Sequence, residues 1–428
     1  MSNVFTIGLD LGTSGSKAVA LGCDDNIVAK ASVSVEYNVD GLKAEFDICE
    51  YYEQVCCLIR HIISQLPTGS LIEGICISSA SGNTVLLNKD DMPLVPAISW
   101  TDTRFKDEIK QVFGELDSNA VLDMSGWPLA DYLAIAHLSW YRVHNPKLLD
   151  NAYRIGTSTD YVNLRLCDKW AIDNSSATTF YLQDQKNRCW NSEYIGKLGI
   201  SHNQLPELLP VGTKIGEITS KAADETSLPV GTPVFLGSFD HPSAAIGAGV
   251  IKEGQLLLSC GTSWVGFIPI KDRELIIKNN LMADPFLSPN GCWGGYFSLD
   301  NVASRIERYL PDVLPEKFDN LIMNSPKNSK ELKINPYNEP DDSLASYSDA
   351  EIALALMKGI ADLFALEINK LVNAGIKITD ITMVGGPSKS VLWPDILRNR
   401  IGYPLNISPY ENFAGAVGAA KICRKTKT

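Results

Sequence analysis

A glycine-rich turn near the start of the chain carries groups suited to binding an anion. It reads Asp10-Leu11-Gly12-Thr13-Ser14-Gly15-Ser16-Lys17 and follows an apolar run at residues 4–9. The glycines allow a tight turn whose backbone N–H groups point inward, while the hydroxyls and Lys17 add donors and positive charge. Asp10 is suited to hold Mg²⁺ through water. The segment therefore predicts a phosphate-binding turn, with a plain hairpin capped by Asp10 as the alternative; it matches neither the Walker A pattern nor GxGxxG.

A second carboxylate, Asp240, follows another short apolar run in the segment Gly237-Ser238-Phe239-Asp240-His241-Pro242. A carboxylate at a strand end beside glycine can remove a proton from an alcohol as a general base. His241 is the rival base, but Pro242 places it in the first turn of a helix. Phosphoryl transfer to an alcohol needs mainly positioning and a proton acceptor, so we predict Asp240 as the base.

Two further segments could contact a ligand. In Trp100-Thr101-Asp102-Thr103-Arg104, the indole face can stack on a sugar, and Asp102 and Arg104 can bond hydroxyls. The plainer alternative is a surface loop entering a helix, with Asp102 as its N-cap. In Gly385-Gly386-Pro387-Ser388, a glycine pair between a strand and a helix lets a nucleoside approach the backbone. An ordinary strand-to-helix turn is the alternative there.

The elements that must position these residues mix strands with helices. The patterns predict an amphipathic helix at 50–66 and a long helix at 349–374 that starts with a Ser348–Glu351 capping box. They predict further helices at 104–113 and 133–143, and strands at 4–9, 16–21, 27–37, 72–78, 84–87, 234–237, 255–259, 264–269 and 381–384. The polar stretch 324–346 predicts a surface excursion, and the small residues 414–420 predict close helix packing. The mixture indicates α/β layers.

The chain contains one internal echo. LDLGTSGSKAVAL near the start and LLSCGTSWVGFIP in the second half both read as strand, Gly-Thr-Ser turn and strand, with Gly12 and Gly261 at matching places. Two related halves would place these turns on opposite walls of one cleft. A coincidental three-letter match is the alternative.

Composition limits the classes of protein that need to be considered. Hydrophobic residues form 45% and charged residues 21% of 428, which excludes disorder, collagen and coiled coil as the main state. At about 150 residues per domain, two to three domains are expected. The net charge of −12 gives no basic footprint for nucleic acid. We find neither a membrane span nor a signal peptide, and the ten cysteines, without metal spacing, predict reduced thiols in the cytosol.

Taken in order, these motifs resemble those of the FGGY carbohydrate kinases, and among them the ketose kinases of xylulokinase type. The resemblance runs along nearly the whole chain and rests on GLDLGTSGSKAVAL, ISWTDTR, DNSSAT, LPVGTPVFLGSFDHPSAAIGAG, SCGTSW, MVGGPSKSVLW and GAVGAA. It implies a two-lobed actin/hexokinase-like (ribonuclease H-like) α/β fold with a deep interlobe cleft. The sugar-side lobe would span residues 1–231 and the ATP-side lobe 232–428.

The resemblance also implies roles for individual residues. Asp240 would be the general base and a substrate contact, and Asp10 would organise Mg²⁺. Trp100, Asp102 and Arg104 would lie in or near the sugar pocket. ATP would be bound by residues of three turns: Gly12, Thr13, Ser14, Lys17, Gly261, Thr262, Gly385, Gly386 and Ser388. The expected partners are a sugar and ATP in the cytoplasm, without nucleic acid or membrane, and a homodimer is an open alternative to a monomer.

Departures from the family pattern lie around the sugar. Where xylulokinases commonly carry Gln-Met-His-Gly, this chain has Ala80-Ser81-Gly82-Asn83, and the usual GGGA is Gly385-Gly386-Pro387-Ser388. His241 after the base is similar to deoxyketose kinases such as fuculokinase. We therefore expect a ketose of xylulose or ribulose type, with L-xylulose and the deoxyketoses fuculose and rhamnulose as alternatives. A non-sugar ATPase or a sugar sensor of the same fold is disfavoured, because we expect no appended peptide-binding or DNA-binding domain.

Overall fold

Strands and helices alternate along the part of the chain that the computed structural model describes, residues 3–261, 263–325 and 332–425. The strands are β1 Val4–Leu11, β2 Gly15–Gly22, β3 Ile27–Ser34, β4 Asn38–Asp40, β5 Lys43–Phe46, β6 Leu71–Ser79, β7 Val85–Leu87, β8 Ala97–Ile98, β9 Arg154–Gly156, β10 Ala171–Asp173, β11 Gln183–Asp184, β12 Cys189–Trp190, β13 Glu207–Leu209, β14 Lys214–Glu217, β15 Pro233–Phe239, β16 Gly254–Cys260, β17 Trp264–Ile270, β18 Met282–Asp284, β19 Trp293–Leu299, β20 Ile378–Gly385 and β21 Leu405–Ile407. The α-helices are α1 Ile48–Ser64, α2 Glu108–Phe113, α3 Ser118–Ser125, α4 Ala134–His144, α5 Pro146–Asn151, α6 Ser158–Cys167, α7 Ser192–Leu198, α8 Ser220–Thr226, α9 Asp240–Ala248, α10 Arg273–Lys278, α11 Val302–Tyr309, α12 Phe318–Met323, α13 Asp349–Asn373, α14 Leu392–Ile401 and α15 Ala414–Lys425.

The contacts divide the chain into two compact units. The first unit runs to Gly247 and also takes in Met282–Gly291 and the residues from Gly415 onward. The second unit consists of Ala248–Leu281 and Cys292–Ala414. The predicted lobes, 1–231 and 232–428, remain a prediction about domain organisation, whereas these units describe packing.

A central sheet of order β14-β15-β6-β1-β2-β3 forms the core of the first unit. Strands β1, β2 and β3 form an antiparallel meander, whereas β6 lies parallel to β1 and β15 lies parallel to β6. Strand β1 alternates buried apolar side chains on one face, Phe5, Ile7, Leu9 and Leu11. Helix α1 buries Val55, Ile59 and Ile62 in the same hydrophobic core. Burial of these apolar faces is the main favourable contribution to this arrangement.

This topology brings three strand ends to one edge of the sheet. In the register of β1 and β6, Asp10 pairs with Ser78, and in the register of β15 and β6, Phe239 pairs with Ser79. Because β1, β6 and β15 are parallel, their carboxyl ends meet at the same edge, where ligands bind in open α/β sheets. Asp240 comes directly after β15, so it starts from the edge at which Asp10 lies.

The second unit repeats this topology. Five neighbouring strands of its six-stranded sheet lie in the order β19-β17-β16-β20-β21, with β16 antiparallel to β17 and parallel to β20. The meander and the two added parallel strands correspond to β3-β2-β1-β6-β15 of the first unit. In the sequence, one Gly-Thr-Ser segment lies between β1 and β2, and the other lies between β16 and β17. The internal echo is therefore structural and not a coincidence of letters.

Small residues of the terminal helix α15 allow it to pack closely in the first unit. A Cβ added at Gly8 on β1 would overlap the carbonyl oxygen of Ala416, and one at Gly418 would overlap that of Ser243 in α9. The prediction of close packing for residues 414–420 is confirmed. A larger side chain at either glycine would separate the backbones.

Three predicted elements differ from the structure. The helix predicted at 104–113 begins only at Glu108, and the strand predicted at 27–37 ends at Ser34. The predicted surface excursion at 324–346 includes residues 326–331, which lie outside the described residues. Its described part is not wholly on the surface, because Ile334 is only 9% exposed and its carbonyl lies against Gly359 of α13. Pro336 is buried as well, so the polar composition of the stretch obscured two buried residues.

The remaining global predictions concern cysteines and membranes. All ten cysteines fall within the described ranges, and each is a free thiol. No helix among the described residues has the length and apolarity needed to cross a membrane.

The Ser348–Glu351 capping box is present at the start of α13, as predicted.

Candidate functional site

Asp10 at the end of β1 presents a carboxylate oxygen that nothing in the protein satisfies. Its Oδ1 is buried without a hydrogen-bond partner. Burial raises the pKa of Asp10 to about 7; Lys17, its partner in the β1–β2 register, lowers it, and the carboxylate of Asp240 raises it. Asp10 and Asp240 are therefore within electrostatic reach of each other, and a positive charge placed beside them would stabilise both ionised carboxylates.

The donor set at Asp10 fits Mg²⁺ held mainly by water and phosphate oxygens. This cation usually takes only one or two carboxylates and keeps several waters. Across residues 3–261, 263–325 and 332–425, no group of three or more His, Cys, Asp or Glu side chains is arranged to hold a metal. The unpartnered Oδ1 of Asp10 is what fits, so Asp10 would hold the ion, which would neutralise phosphate charge.

The glycine turn after Asp10 is tight and is tied to Trp100. A Cβ at Gly12 would lie 2.9 Å from the carbonyl oxygen of Gly15, and the Ser14 carbonyl accepts the N–H of Val35 at 3.4 Å. The Thr13 hydroxyl oxygen accepts the indole N–H of Trp100 at 2.7 Å. The structure thus brings Trp100 to the predicted phosphate turn, whose own role remains a prediction.

Trp100 also forms an exposed aromatic pair that the sequence analysis did not identify. The ring of Tyr132 lies 6.4 Å from that of Trp100, centroid to centroid. The two residues are 36% and 40% exposed, so both retain accessible surface next to the turn. Tyr132 lies in the irregular stretch between α3 and α4, where no periodic pattern in the sequence singled it out.

Asp102 and Arg104 are engaged with other protein groups. The buried Asp102 accepts the backbone N–H of Ala44 at 2.8 Å and the Nε–H of Arg104 at 2.9 Å, and Arg104 also bonds Glu45 at 2.7 Å. Burial alone would raise the pKa of Asp102, but the bonds from Arg104 and Ala44 outweigh it and lower the pKa. The guanidinium lies over the Trp140 ring at 5.3 Å. This geometry favours a supporting role, and their predicted contact with sugar stays a prediction.

Asp240 begins α9, and its carboxylate is accessible. Its side chain is 26% exposed, and Oδ1 accepts the backbone N–H of His241 at 2.7 Å. The His241 Nε2 lies 3.9 Å from the same oxygen, and its ring packs edge-on against Phe239 at 5.7 Å. Both of these contacts of Asp240 are made by Oδ1, and its predicted role as a base stays a prediction.

A buried hydroxyl and two buried carboxylates form a hydrogen-bonded group that contacts the residue before Asp240. No role for them was predicted from the sequence. Ser175 donates its hydroxyl to Asp284 at 2.6 Å and accepts the backbone N–H of Phe239 at 3.1 Å. Asp173 accepts the backbone N–H of Ser175 at 2.9 Å. Asp173 and Ser175 lie in the DNSSAT motif, quoted for the resemblance alone, whereas Asp284 had no sequence signal.

The stretch where a histidine was expected is filled by internal bonds. The Asn83 amide exchanges hydrogen bonds with Ser158, at 3.0 Å to its hydroxyl and 2.7 Å from its backbone N–H. The Ser81 hydroxyl lies 3.1 Å from that of Thr179, and Gly82 has a φ of 104°. The polar side chains of Ser81 and Asn83 are therefore engaged with other protein groups.

The second unit brings two of its predicted turns together. Cys260, which precedes Gly261, pairs with Gly385 across β16 and β20, and Gly385 has a φ of 99° with its Cα against the Cys260 carbonyl. A Cβ at Gly386 would meet no heavy atom within 4 Å, so its backbone is open to a ligand. The Ser388 hydroxyl donates to the Gly385 carbonyl at 2.6 Å. Thr262 lies outside the described residues.

Comparison with known proteins decides the family. The N-terminal domain of the FGGY family of carbohydrate kinases matches residues 5–247, and the C-terminal domain of that family matches residues 334–424. This chain belongs to the FGGY family of carbohydrate kinases. The kinase is 25% identical over 462 residues to an autoinducer-2 kinase of Photorhabdus laumondii, covering 98% of this chain and 85% of that protein. It is 24% identical over 442 residues to a xylulose kinase of Staphylococcus xylosus, covering 98% and 90%.

Solved structures confirm the predicted fold class. The kinase matches xylulose kinase from Rhodospirillum rubrum with a TM-score of 0.85 at 23% identity, over 99% of this chain and 90% of that chain. It matches Plasmodium falciparum glycerol kinase with ADP with a TM-score of 0.85 at 18% identity, over 98% and 88%. The chain thus has the actin/hexokinase-like fold of sugar kinases, and the duplicated sheet topology agrees with this.

Proposed function

We propose that this carbohydrate kinase transfers the γ-phosphoryl group of ATP to a hydroxyl of a small ketose of xylulose or ribulose type. The observation that supports the proposal is the unpartnered buried Oδ1 of Asp10, within electrostatic reach of the exposed carboxylate of Asp240 at one sheet edge. The Asp10 oxygen could bind a cation that accompanies phosphate, and the Asp240 carboxylate could accept a hydroxyl proton. Phosphoryl transfer to an alcohol needs both.

In this proposal Asp240 acts as the general base. Its carboxylate accepts the proton of the sugar hydroxyl while the hydroxyl oxygen forms a bond to the γ-phosphorus. The bond between that phosphorus and the β–γ bridging oxygen breaks, so the products are a sugar phosphate and ADP. Mg²⁺ at Asp10 would offset the negative charge of the phosphates. The enzyme contributes positioning and electrostatic stabilisation, since the transition state is loose.

We assign ATP to the turns that present backbone. In the second unit, Gly261 would approach the phosphates, and Gly386 and Ser388 would lie along the adenosine. In the first unit, Gly12, Thr13, Ser14 and Lys17 would approach the transferred phosphoryl group. Cytoplasmic ATP and ten free thiols are consistent with a cytoplasmic location for the kinase.

The substrate has a second candidate class, the deoxyketoses. Two observations favour it: His241 directly follows the base, and Asn83 and Ser81 are bonded internally where a sugar-contacting histidine was expected. A site with fewer free polar groups is better matched to a sugar that lacks a hydroxyl, because an unpaired buried hydroxyl costs free energy.

A coupled assay of ADP release tests both proposals. Mg·ATP is offered with D-xylulose, L-xylulose, ribulose, fuculose, rhamnulose, glycerol and autoinducer-2, using the wild type, Asp240→Asn and the control Asp224→Asn. We expect sugar-dependent turnover that falls by ~10²–10⁴-fold in Asp240→Asn, as loss of a general base predicts, and stays unchanged in Asp224→Asn, an exposed residue of α8. Sugar-independent ATP turnover that survives Asp240→Asn would refute the proposed function.

A further inference from the structure

The backbone that leads into Asp240 is held by a side chain in addition to its neighbouring strand. The pairing of β15 with β6 is irregular between Leu236 and Phe239, where the register shifts. At this point the backbone N–H of Phe239 donates to the hydroxyl oxygen of Ser175 at 3.1 Å. The position of the residue just before Asp240 therefore depends on where the Ser175 hydroxyl is held.

Ser175 is in turn fixed at two points. Its backbone N–H donates to Oδ1 of Asp173 at 2.9 Å, and its hydroxyl donates to Oδ2 of Asp284 at 2.6 Å. The other oxygen of Asp284 accepts the backbone N–H of Phe286 at 2.7 Å, so both of its oxygens are occupied. The Ser175 hydroxyl is thereby oriented with its lone pairs toward Phe239.

Asp284 reaches this place because its segment is bound firmly within the first unit. The N–H of Ala283 donates to the carbonyl of Gly126 at 2.8 Å. The carbonyl of Ala283 accepts the Trp127 indole N–H at 3.0 Å and the Gln185 side-chain amide N–H at 2.9 Å. The Trp127 ring also packs against the Phe239 ring at 5.7 Å. The segment of Ala283 and Asp284 is therefore linked to Phe239 twice, through Trp127 to the ring and through Ser175 to the backbone N–H.

Burying an ionised carboxylate costs free energy unless hydrogen bonds or a neighbouring charge compensate it. Asp284 is 0% exposed. Burial raises the pKa of Asp284 to about 7, with Asp173 and Asp240 raising it further and the bonds from Ser175 and Phe286 lowering it. Asp284 is thus within electrostatic reach of Asp240, although its two oxygens accept hydrogen bonds from Ser175 and Phe286.

We propose that Ser175 and Asp284 are positioning residues for Asp240: the chain of bonds from Asp284 through Ser175 to the Phe239 N–H sets the start of α9. This inference rests on the proposed role of Asp240 as the base. A displacement of about 1 Å at a reacting group can cost ~10²-fold in rate. We therefore expect this series of hydrogen bonds to affect kcat and not substrate affinity.

Two substitutions that break the chain test the proposal. Ser175→Ala removes the acceptor of the Phe239 N–H, and Asp284→Ala removes the anchor of Ser175. For each we expect kcat to fall by ~10–100-fold while KM for Mg·ATP and for the sugar changes by less than about 3-fold. A purely structural role would lower the melting temperature without this separation of kcat from KM. Wild-type kcat in a folded Ser175→Ala protein would overturn the inference.

Asp284→Asn separates position from charge. Its amide oxygen can accept the Phe286 N–H while its NH₂ donates to Ser175, whose oxygen can still accept the Phe239 N–H. The bond to Ser175 is then reversed but kept. We expect kcat within about 5-fold of the wild type, a rescue relative to Asp284→Ala. Activity as low as that of Asp284→Ala would show that the charge is what matters and would overturn the positioning role.

Matched controls come from the same unit. Ser139→Ala removes a buried hydroxyl that donates to the Ile135 carbonyl at 2.7 Å, and Asp160→Asn alters a buried carboxylate that accepts the Thr157 hydroxyl at 2.9 Å. Both should leave kcat unchanged. If Asp240→Asn retains wild-type sugar-dependent turnover, the proposed role of Asp240 as the base fails, and the positioning inference fails with it. If Asp240→Asn is inactive while Ser175→Ala is normal, only the positioning inference fails.

Discussion

Gly415 is the residue whose substitution tests the role of Asp10 without touching its carboxylate. It lies in the first turn of α15, and a Cβ added there would be 2.5 Å from Oδ2, 2.7 Å from Cγ and 3.3 Å from Cβ of Asp10. Gly415→Ala therefore forces Asp10 to retreat while its charge and its neighbour Lys17 remain. We expect catalysis to suffer more than folding.

The magnitudes support this expectation. Favourable contact between heavy atoms begins at about 3.5 Å, so the carboxylate must move by roughly 1 Å. A misplacement of that size can reduce kcat by ~10²-fold. Overpacking costs ~1–3 kcal/mol of folding free energy, and replacing a helical glycine by alanine returns about 1 kcal/mol. The net loss of stability, about 0–2 kcal/mol, would leave a domain of ordinary stability folded.

Steady-state kinetics at varied free Mg²⁺ provide the assay. For Gly415→Ala we expect the fall in kcat together with a higher Mg²⁺ concentration for half-maximal activity. Gly196→Ala is the control, because Gly196 in α7 has no heavy atom within 4 Å of an added Cβ. If folded Gly415→Ala keeps both its kcat and its Mg²⁺ dependence within about 3-fold of the wild type, the position of Asp10 is not critical and the assignment of Mg²⁺ to it is refuted.

Two further predictions follow from contacts in the first unit. Trp100→Phe removes the indole N–H that donates to Thr13 at 2.7 Å, and, at about 0.5–1.5 kcal/mol for one hydrogen bond, it should raise KM for ATP or sugar by ~2–12-fold; unchanged values would contradict a role for this bond. Asp160 has a pKa raised by burial to about 8, against about 3.9 in unfolded chains, so its contribution to stability is present below pH 4 and is lost as pH rises through 8. In urea unfolding, the free energy of unfolding of Asp160→Asn should therefore rise relative to that of the wild type between pH 5 and pH 8, by at most ~1.4 kcal/mol per pH unit. A difference between the two proteins that does not change with pH would contradict this.

Much of the fold could be predicted because it is encoded locally. Apolar runs bounded by glycine turns indicated β1, β2, β6, β16 and β17, and the capping box indicated the start of α13. Prediction failed where a side chain overrides the local pattern. The N–H of Arg104 bonds the Asp102 carboxylate at 3.1 Å, which delays the predicted helix until Glu108. No periodicity in the sequence reports such a bond.

The candidate site was predictable where it follows strand ends and hidden where it depends on long-range contacts. Asp10 and Asp240 each follow an apolar run, and parallel pairing then brings them to one edge. Asp284 meets Ser175 across 109 positions of sequence, through a segment anchored at Ala283. Hydrophobic pattern and turn chemistry carry no information about such a distance, so only the three-dimensional structure identifies the pair.

Asp10 and Asp240 are two carboxylates within electrostatic reach of each other at one sheet edge. Burial raises the pKa of Asp10 to about 7, and the nearby Asp240 raises it as well, so the two charges oppose each other when no cation is bound. The backbone at Phe239, next to Asp240, is nevertheless held in place: its N–H donates to the Ser175 hydroxyl, and its carbonyl accepts the Ser78 hydroxyl. A site that is rigid and electrostatically unfavourable in this way gains most when a cation accompanying phosphate arrives. If Asp10 binds Mg²⁺ as we propose, the ion would relieve this repulsion, and the support behind Asp240 and the unpartnered oxygen of Asp10 would then act together.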